Sequence, residues 1–321
     1  MTISAEQAAT ARETGRAIPD FFVVGHPKSG TTALYEMLRS HPEVFMPLLK
    51  EPLFFTLGEL NPALGGKRPH PQTLDEYLAL FEPAMEGQIK GEASASYLRS
   101  RRAAARIAEL QPDARIIAIL REPASFLRSL HLERLKDQVE TEKDLRKAIE
   151  REERIADRQP LLWYSRDRVE YTAQLRRYHD VFGREQVLVL IYDDFRADND
   201  ATLRRVLGFL DVDESAAIAR SEANPTVMVR SPRAFGLMRS VYLGRTPAAR
   251  AAKTAIKGVT PQRLRHASLR TLRDNAIYGK PPPLDEELML ELRRRYRGEV
   301  EAVSEYLGRD LVALWGYDRL G

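Results

Sequence analysis

Apolar residues follow two rhythms along this chain of 321 residues. Short unbroken runs over residues 21–25, Arg115–Leu120 and 186–192 are rich in β-branched residues and bounded by turn signals, and 88–92 is a briefer run of the same kind. Runs this apolar read as strands buried on both faces of a parallel sheet. Between and after them, apolar positions recur at helical spacing over 31–40, 74–81, 101–110, 124–136, 145–155, 169–182, 201–210 and 285–306. Strand–helix alternation predicts right-handed crossovers and an α/β fold, with a central parallel sheet flanked by helices on both faces. Ligands of such sheets sit at the carboxyl ends of the strands. The loop after the first run and the segment after Leu120 both lie at such ends.

The flanks add organisation. Residues 1–19 are polar and alanine-rich, with Arg12 and Arg16 and no apolar run, which predicts a flexible N-terminal tail that is neither signal peptide nor anchor. A single domain is expected over 20–321. No stretch reaches the ~20 apolar residues of a membrane span, so a cytoplasmic protein is the expectation. Hydrophobic residues make up 43% and charged residues 30%, a balance that argues against wholesale disorder. There is no cysteine, which excludes disulfides, cysteine-ligated zinc, iron–sulfur clusters and a cysteine nucleophile. The net charge of +4 is unevenly placed, because residues 221–280 hold 12 Lys/Arg against 2 Asp/Glu. With its many prolines, the stretch 224–283 reads as a basic, irregular, partly helical cap. Such a block suits a polyanion or a multiply anionic small ligand, or it is a solvated helical face.

The chemistry begins where the first run meets Gly25-His26-Pro27-Lys28-Ser29-Gly30-Thr31-Thr32 and then a helix. A strand, a glycine-bounded turn and a helix N-terminus together form a phosphate cradle, with backbone N–H groups and the helix dipole facing the anion. The spacing nearly spells the triphosphate loop G-x-x-x-x-G-K-[ST]. Thr31 stands where that loop needs its lysine, and Lys28 lies three residues earlier. A metal-dependent ATPase or kinase is thereby disfavoured, and no carboxylate set for a metal is evident. Lys28 instead projects from the turn, where it can meet a group being transferred or the bridging oxygen of a leaving group. Arg121 follows Leu120 directly, and Ser129 comes eight residues later, about two helical turns on. A guanidinium fork with a hydroxyl can clasp a phosphate monoester.

Together these residues resemble the sulfotransferases that use 3′-phosphoadenosine-5′-phosphosulfate (PAPS), in particular the carbohydrate and heparan sulfate branch and its bacterial members. Pro27 to Thr32 matches the family's 5′-phosphosulfate loop, and Arg121 with Ser129 resembles its 3′-phosphate motif. Lys50-Glu51-Pro52-Leu53-Phe54-Phe55 resembles its K-E-P-x-x-F segment, and likenesses continue through residues 171–195, 207–212 and 307–315. Residues 91–97 depart from the pattern G-E-K-[ST]-P-x-Y, with Ala93 for the lysine and Ala95 for the proline. The resemblance implies a P-loop-containing nucleotide-binding fold. It also implies sulfuryl transfer from PAPS to a hydroxyl or amine of a small-molecule or carbohydrate acceptor, by in-line displacement without metal. The implied donor-binding residues are Pro27, Lys28, Ser29, Gly30, Thr31, Thr32, Arg121 and Ser129, with Lys280 on a looser match. Lys28 would also act at the bridging oxygen, and Glu51 is the implied general base, with His26 and His131 as alternatives. Two other readings stay open: a P-loop nucleotide-dependent kinase, which Thr31 disfavours, and a non-catalytic polyanion binder, which leaves both phosphate motifs unexplained. Nucleic acid is not an expected partner, and neither acceptor nor oligomeric state is specified.

Overall fold

The protein is described by a computed structural model over residues 5–59, 70–137, 139–155, 163–216, 218, 228–229, 278–279 and 282–320. The chain divides into two compact units. One comprises Met1–Phe126, Arg151–Asn224 and Glu287–Gly321, and the other Leu127–Glu150 and Pro225–Glu286. The sequence predicts one domain beyond residue 19. Most of the basic stretch 221–280, including Lys280, lies outside the described residues.

The first unit is built on five parallel strands: β1 (Phe21–Val23), β2 (Val44–Phe45), β3 (Ile89–Ala93), β4 (Arg115–Leu120) and β5 (Val187–Ile191), in the order β2-β3-β1-β4-β5. This is the expected P-loop-containing α/β class. From β1 the chain passes to the edge strand β2 and returns to β3 on one side, then crosses to the other through β4 and β5. Strand order therefore reverses between β1 and β4, and a ligand crevice opens at such a point.

Strand alternation puts Phe21, Val23, Ile117, Ile119, Leu188 and Leu190 into one buried cluster with α2 (Thr31–Arg39) and α9 (Asn199–Leu210). Burying an aliphatic side chain of this size stabilises by ~1.5–3 kcal/mol. Phe22 points to the opposite face and meets Phe55 edge-on, with ring centroids 5.7 Å apart. The other helices of the described chain are α1 (Ala5–Glu13), α3 (Leu74–Leu78), α4 (Ala103–Leu110), α5 (Pro123–Lys136), α6 (Leu145–Glu153), α7 (Tyr171–Phe182), α8 (Tyr192–Ala197), α10 (Glu286–Leu307) and α11 (Leu311–Leu314). None is long and apolar enough to cross a membrane.

Three local expectations change. The N-terminal stretch is helical where a flexible tail is predicted: α1 buries Ala8 and Ala11, and Arg12 donates to the carbonyls of Glu109 (2.6 Å) and Leu110 (3.2 Å) at the end of α4. A basic side chain there satisfies carbonyls that the helix end leaves unpaired. Tyr192 starts α8 rather than ending the last strand. In the second unit, β6 (Met228–Val229) pairs antiparallel with β7 (Tyr278–Gly279), inside a stretch read as lacking strong strands.

Candidate active site

The turn between β1 and α2 sits at the reversal of strand order. Backbone bonds continue from β1 along β4, from Val24 N–H to the Ile117 carbonyl (2.9 Å) and from His26 N–H to the Ile119 carbonyl (3.2 Å). Gly25, between them, has no room for a side chain, because a Cβ would lie 2.6 Å from the Ile119 nitrogen. Lys28 (φ 64°) and Gly30 (φ 89°) then take left-handed conformations that fold the turn. Gly30 is the N-cap of α2 and supplies no capping side chain. The first N–H groups of α2, from Thr31 onward, thus have neither an intrahelical carbonyl nor a side-chain cap, which is the condition for holding an anion. Ser29 and Thr31 are buried and Thr32 is exposed. The Ser29 hydroxyl has no hydrogen-bond partner among the described residues.

β4 delivers Arg121 to the same edge. Its Nη1 donates to the Lys28 carbonyl at 2.6 Å, and its guanidinium carbon lies 4.6 Å from the centroid of the Tyr192 ring. Tyr171 Oη donates to the Arg121 carbonyl at 2.8 Å. Burial lowers the Arg121 pKa from its ordinary value, and Tyr192 and Asp193 oppose that shift. An arginine remains a cation under such a shift. The two candidate phosphate motifs, far apart in sequence, are joined by a charge-assisted hydrogen bond. Sequence reasoning missed Tyr192 as the platform under Arg121, since its only signal was an aromatic residue ending an apolar run. Ser129 lies on α5 in the second unit, buried, with its Oγ lacking a hydrogen-bond partner among the described residues. The N-terminus of α5 is capped by Glu122, whose carboxylate accepts the Ala124 N–H (3.1 Å) and the Ser125 N–H (2.7 Å).

Glu51 is held at the end of β3, the strand beside β1, by its N–H to the Ala93 carbonyl (3.0 Å). Its carboxylate is 43% exposed and 2.7 Å from Lys50 Nζ. A pair this open contributes about 0–1 kcal/mol, small enough for Glu51 to exchange Lys50 for another partner.

His26 is enclosed in the interior. It is 2% exposed, packed between the rings of Phe126 (5.1 Å) and Tyr171 (4.9 Å), and its Nε2–H donates to Gln174 Oε1 at 2.8 Å. The amide orientation follows from Gln174 Nε2, which donates to the Asp167 carbonyl (2.7 Å). Burial drives the His26 pKa down to about 3, the Gln174 bond opposes this, and Arg168 and Arg99 add to the drop. An enclosed imidazole of such weak basicity is poorly suited to taking a proton from an acceptor. His131, in the second unit, is likewise buried, with Nε2–H on the Lys143 carbonyl (3.1 Å) and its pKa lowered by burial.

A cleft of about 450 Å³ lies elsewhere in the first unit, lined by α1, Phe54, Phe55, Leu74 and Arg106 among others. It includes no residue of the Gly25–Thr32 turn, so it is separate from the candidate cradle.

Comparison with known proteins adds the family. The model of the sulfotransferase family matches residues 19–216. Carbohydrate sulfotransferase 15 of Mus musculus is 26% identical over 273 residues, covering 68% of this chain and 47% of that protein. The chain thus spans about half the length of that relative. Heparan sulfate glucosamine 3-O-sulfotransferase 6 of Homo sapiens is 36% identical over 110 residues, 34% of this chain and 29% of the relative. The solved structure of a sulfotransferase from Alicyclobacillus acidocaldarius superposes with a TM-score of 0.67 at 26% identity, covering 93% of this chain and 99% of its own. With a family match over more than half its length, laid on a parallel sheet with an uncapped turn after its first strand, this chain belongs to the sulfotransferase family.

Proposed function

We propose that the chain moves a sulfuryl group from PAPS to a hydroxyl or amine of a carbohydrate or small-molecule acceptor, by in-line displacement without metal. The observation that carries this reading is the join between the uncapped turn and Arg121 at the reversal of strand order, in a chain of this family. Backbone N–H groups of the turn would take the 5′-phosphate, with the hydroxyls of Ser29 and Thr31 beside them. Two buried hydroxyls without partners, on Ser29 and Ser129, favour an anionic ligand, since such groups are costly unless something binds them. Arg121 and Ser129 would bind the 3′-phosphate, and Lys28 would neutralise the bridging oxygen as its bond to sulfur breaks. The protein's contribution is positioning and charge stabilisation. Glu51 is the proposed base, preferred over His26 and His131 because its carboxylate is exposed and theirs are enclosed imidazoles. The relatives named for carbohydrate and heparan sulfate make a glycan hydroxyl the first acceptor class to try. The cytoplasmic location belongs to this proposal on the sequence reading alone.

The test has two arms. Calorimetric titration with 3′,5′-adenosine bisphosphate and with ATP–Mg²⁺ should show binding of the first and little of the second; the reverse preference would favour a kinase. Radiolabelled PAPS incubated with desulfated heparan oligosaccharides, simple sugars and phenols should label one class. Labelling of phenols alone would overturn the glycan assignment while leaving sulfuryl transfer intact.

A further inference from the structure

Glu92 is a buried acid that the reaction above leaves unused. It lies on β3, fully enclosed, one residue before the strand ends. Its Oε2 accepts hydrogen bonds from Tyr77 Oη (2.8 Å) and Tyr97 Oη (3.0 Å), while its Oε1 has no hydrogen-bond partner among the described residues. Leaving a carboxyl oxygen unpaired in the interior is unfavourable, and an apolar side chain would pack here without that penalty. The acid therefore invites a functional explanation.

What its partners hold is the loop that carries Glu51. Three N–H groups of that loop are anchored at or just beyond the end of β3: Glu51 on the Ala93 carbonyl (3.0 Å), Leu53 on Ser94 Oγ (3.3 Å) and Phe55 on Tyr97 Oη (3.3 Å). Glu51 (φ 60°) and Leu53 (φ 57°) are left-handed, strained conformations for residues with a Cβ. Such backbone persists only where its surroundings over-determine it. The Tyr97 phenol is the middle link, receiving the Phe55 N–H and giving its own proton to Glu92. Tyr77 acts in parallel, stacking on Phe54 at 4.5 Å while its hydroxyl binds the same carboxyl oxygen.

We propose that Glu92 is a positioning residue for the candidate base: its carboxyl fixes the phenols of Tyr77 and Tyr97, and these fix the strained loop that presents Glu51. The catalytic half of this inference rests on the reading of Glu51 as base. The charge of Glu92 tunes the anchor. Burial pushes its carboxyl up to about 7, the hydroxyls of Ser94, Tyr77 and Tyr97 around it oppose that, and the Glu51 charge adds to it. The groups that bear on Glu92 are thus Tyr77 from α3, Ser94 and Tyr97 after β3, and Glu51 from the loop, while Tyr178 on α7 feels its charge in turn. Ionised Glu92 accepts from both phenols more strongly than the protonated acid does. The anchor, and with it turnover, strengthens as pH rises through about 7.

Glu92→Gln keeps the shape and one acceptor oxygen but cannot ionise. Water serves as the acceptor probe, with turnover read as release of 3′,5′-adenosine bisphosphate from PAPS. Above neutral pH the variant should lose kcat by about tenfold and lose the rise near neutrality, with its affinity for the bisphosphate unchanged. Amide hydrogen exchange at Leu53 and Phe55 should quicken. A wild-type pH profile with unchanged exchange would overturn the proposal, as would loss of bisphosphate affinity in step with kcat. Should Glu92→Gln fail to fold, Tyr97→Phe cuts the middle link, and unchanged kcat and loop exchange in that variant would also overturn it. Glu51→Gln separates the two readings. If it keeps wild-type turnover while Glu92→Gln loosens the loop, Glu51 is not the base and the anchor stands. If it is inactive while Glu92→Gln behaves as wild type, the anchor alone falls.

Discussion

At the scale of single residues, the candidate phosphate turn is held by backbone as much as by side chains. Lys28 sits at φ 64° with its carbonyl engaged by Arg121. A left-handed residue with a Cβ costs about 1–3 kcal/mol, and the Arg121 bond is one of the contacts that hold it there. Lys28→Ala removes the ammonium but keeps that carbonyl bond. Turnover should fall about 10²–10³-fold while the thermal midpoint stays put; near wild-type turnover would take Lys28 out of the mechanism. Arg121→Ala loses the carbonyl bond and the contact with Tyr192 together. Bisphosphate binding measured by calorimetry should weaken by about 1.5–3 kcal/mol, roughly 10- to 150-fold, and the thermal midpoint should drop as well. Arg121→Lys should restore little, since an ammonium lacks the flat guanidinium that lies over a ring and forks to a phosphate. Unchanged affinity in Arg121→Ala would sink its assignment to the 3′-phosphate.

Elements bring these residues together. β1 and β4 lie side by side only because Gly25 lets the backbone of Ile119 approach, and that approach brings the turn and Arg121 to one edge. Gly25→Ala would place a methyl 2.6 Å from a strand nitrogen, so β1 and β4 must separate. A loss of about 1–3 kcal/mol in urea unfolding is expected, with bisphosphate affinity falling in the same variant. Full affinity with lowered stability would show that the cradle tolerates the shift. β3 plays the matching part on the other side of β1. Its last residues anchor the Glu51 loop, while Ser94 N–H returns to the Val23 carbonyl (3.1 Å) and Leu98 N–H to the Val24 carbonyl (2.9 Å). Cradle and candidate base are thus mounted on neighbouring strands.

For the whole molecule, one buried base and one buried acid, with slopes of opposite sign, set part of the pH dependence of stability. His26 has its pKa lowered from 6.5 to about 3. The unfolded chain therefore takes up a proton that the folded chain refuses, and this contribution is lost as pH falls from 6.5 towards 3. Glu92 is raised from 4.5 to about 7, so the folded chain keeps a proton that the unfolded chain releases. Its contribution is present below 4.5 and lost as pH rises towards 7. Between about 4.5 and 6.5 the two slopes oppose each other. Urea midpoints across this window should therefore be nearly flat for these two groups. His26→Phe should leave a stability that declines with rising pH, and Glu92→Gln one that declines with falling pH. Parallel profiles for the two variants would refute the paired assignment.

How much of this was written in the chain depends on range. β4 was legible to the residue, and β1 and β5 nearly so, because a strand buried on both faces leaves an uninterrupted apolar run. The turn, Lys28, and the spacing from Arg121 to Ser129 were legible for the same local reason. β2 was not, since two residues carry no periodicity, and neither was α1, whose alanines give a weak apolar stripe. Local pattern alone carried the element alternation, the turn between β1 and α2 and the candidate residues, because each depends on neighbours a few positions away. Packing in three dimensions set the rest: β4 lies against β1, Arg121 binds the Lys28 carbonyl, His26 is enclosed, and Tyr77 and Tyr97 converge on Glu92. These are contacts between elements, and burial sets their protonation and strain. A one-dimensional pattern records which residues are apolar, but not which buried group faces which.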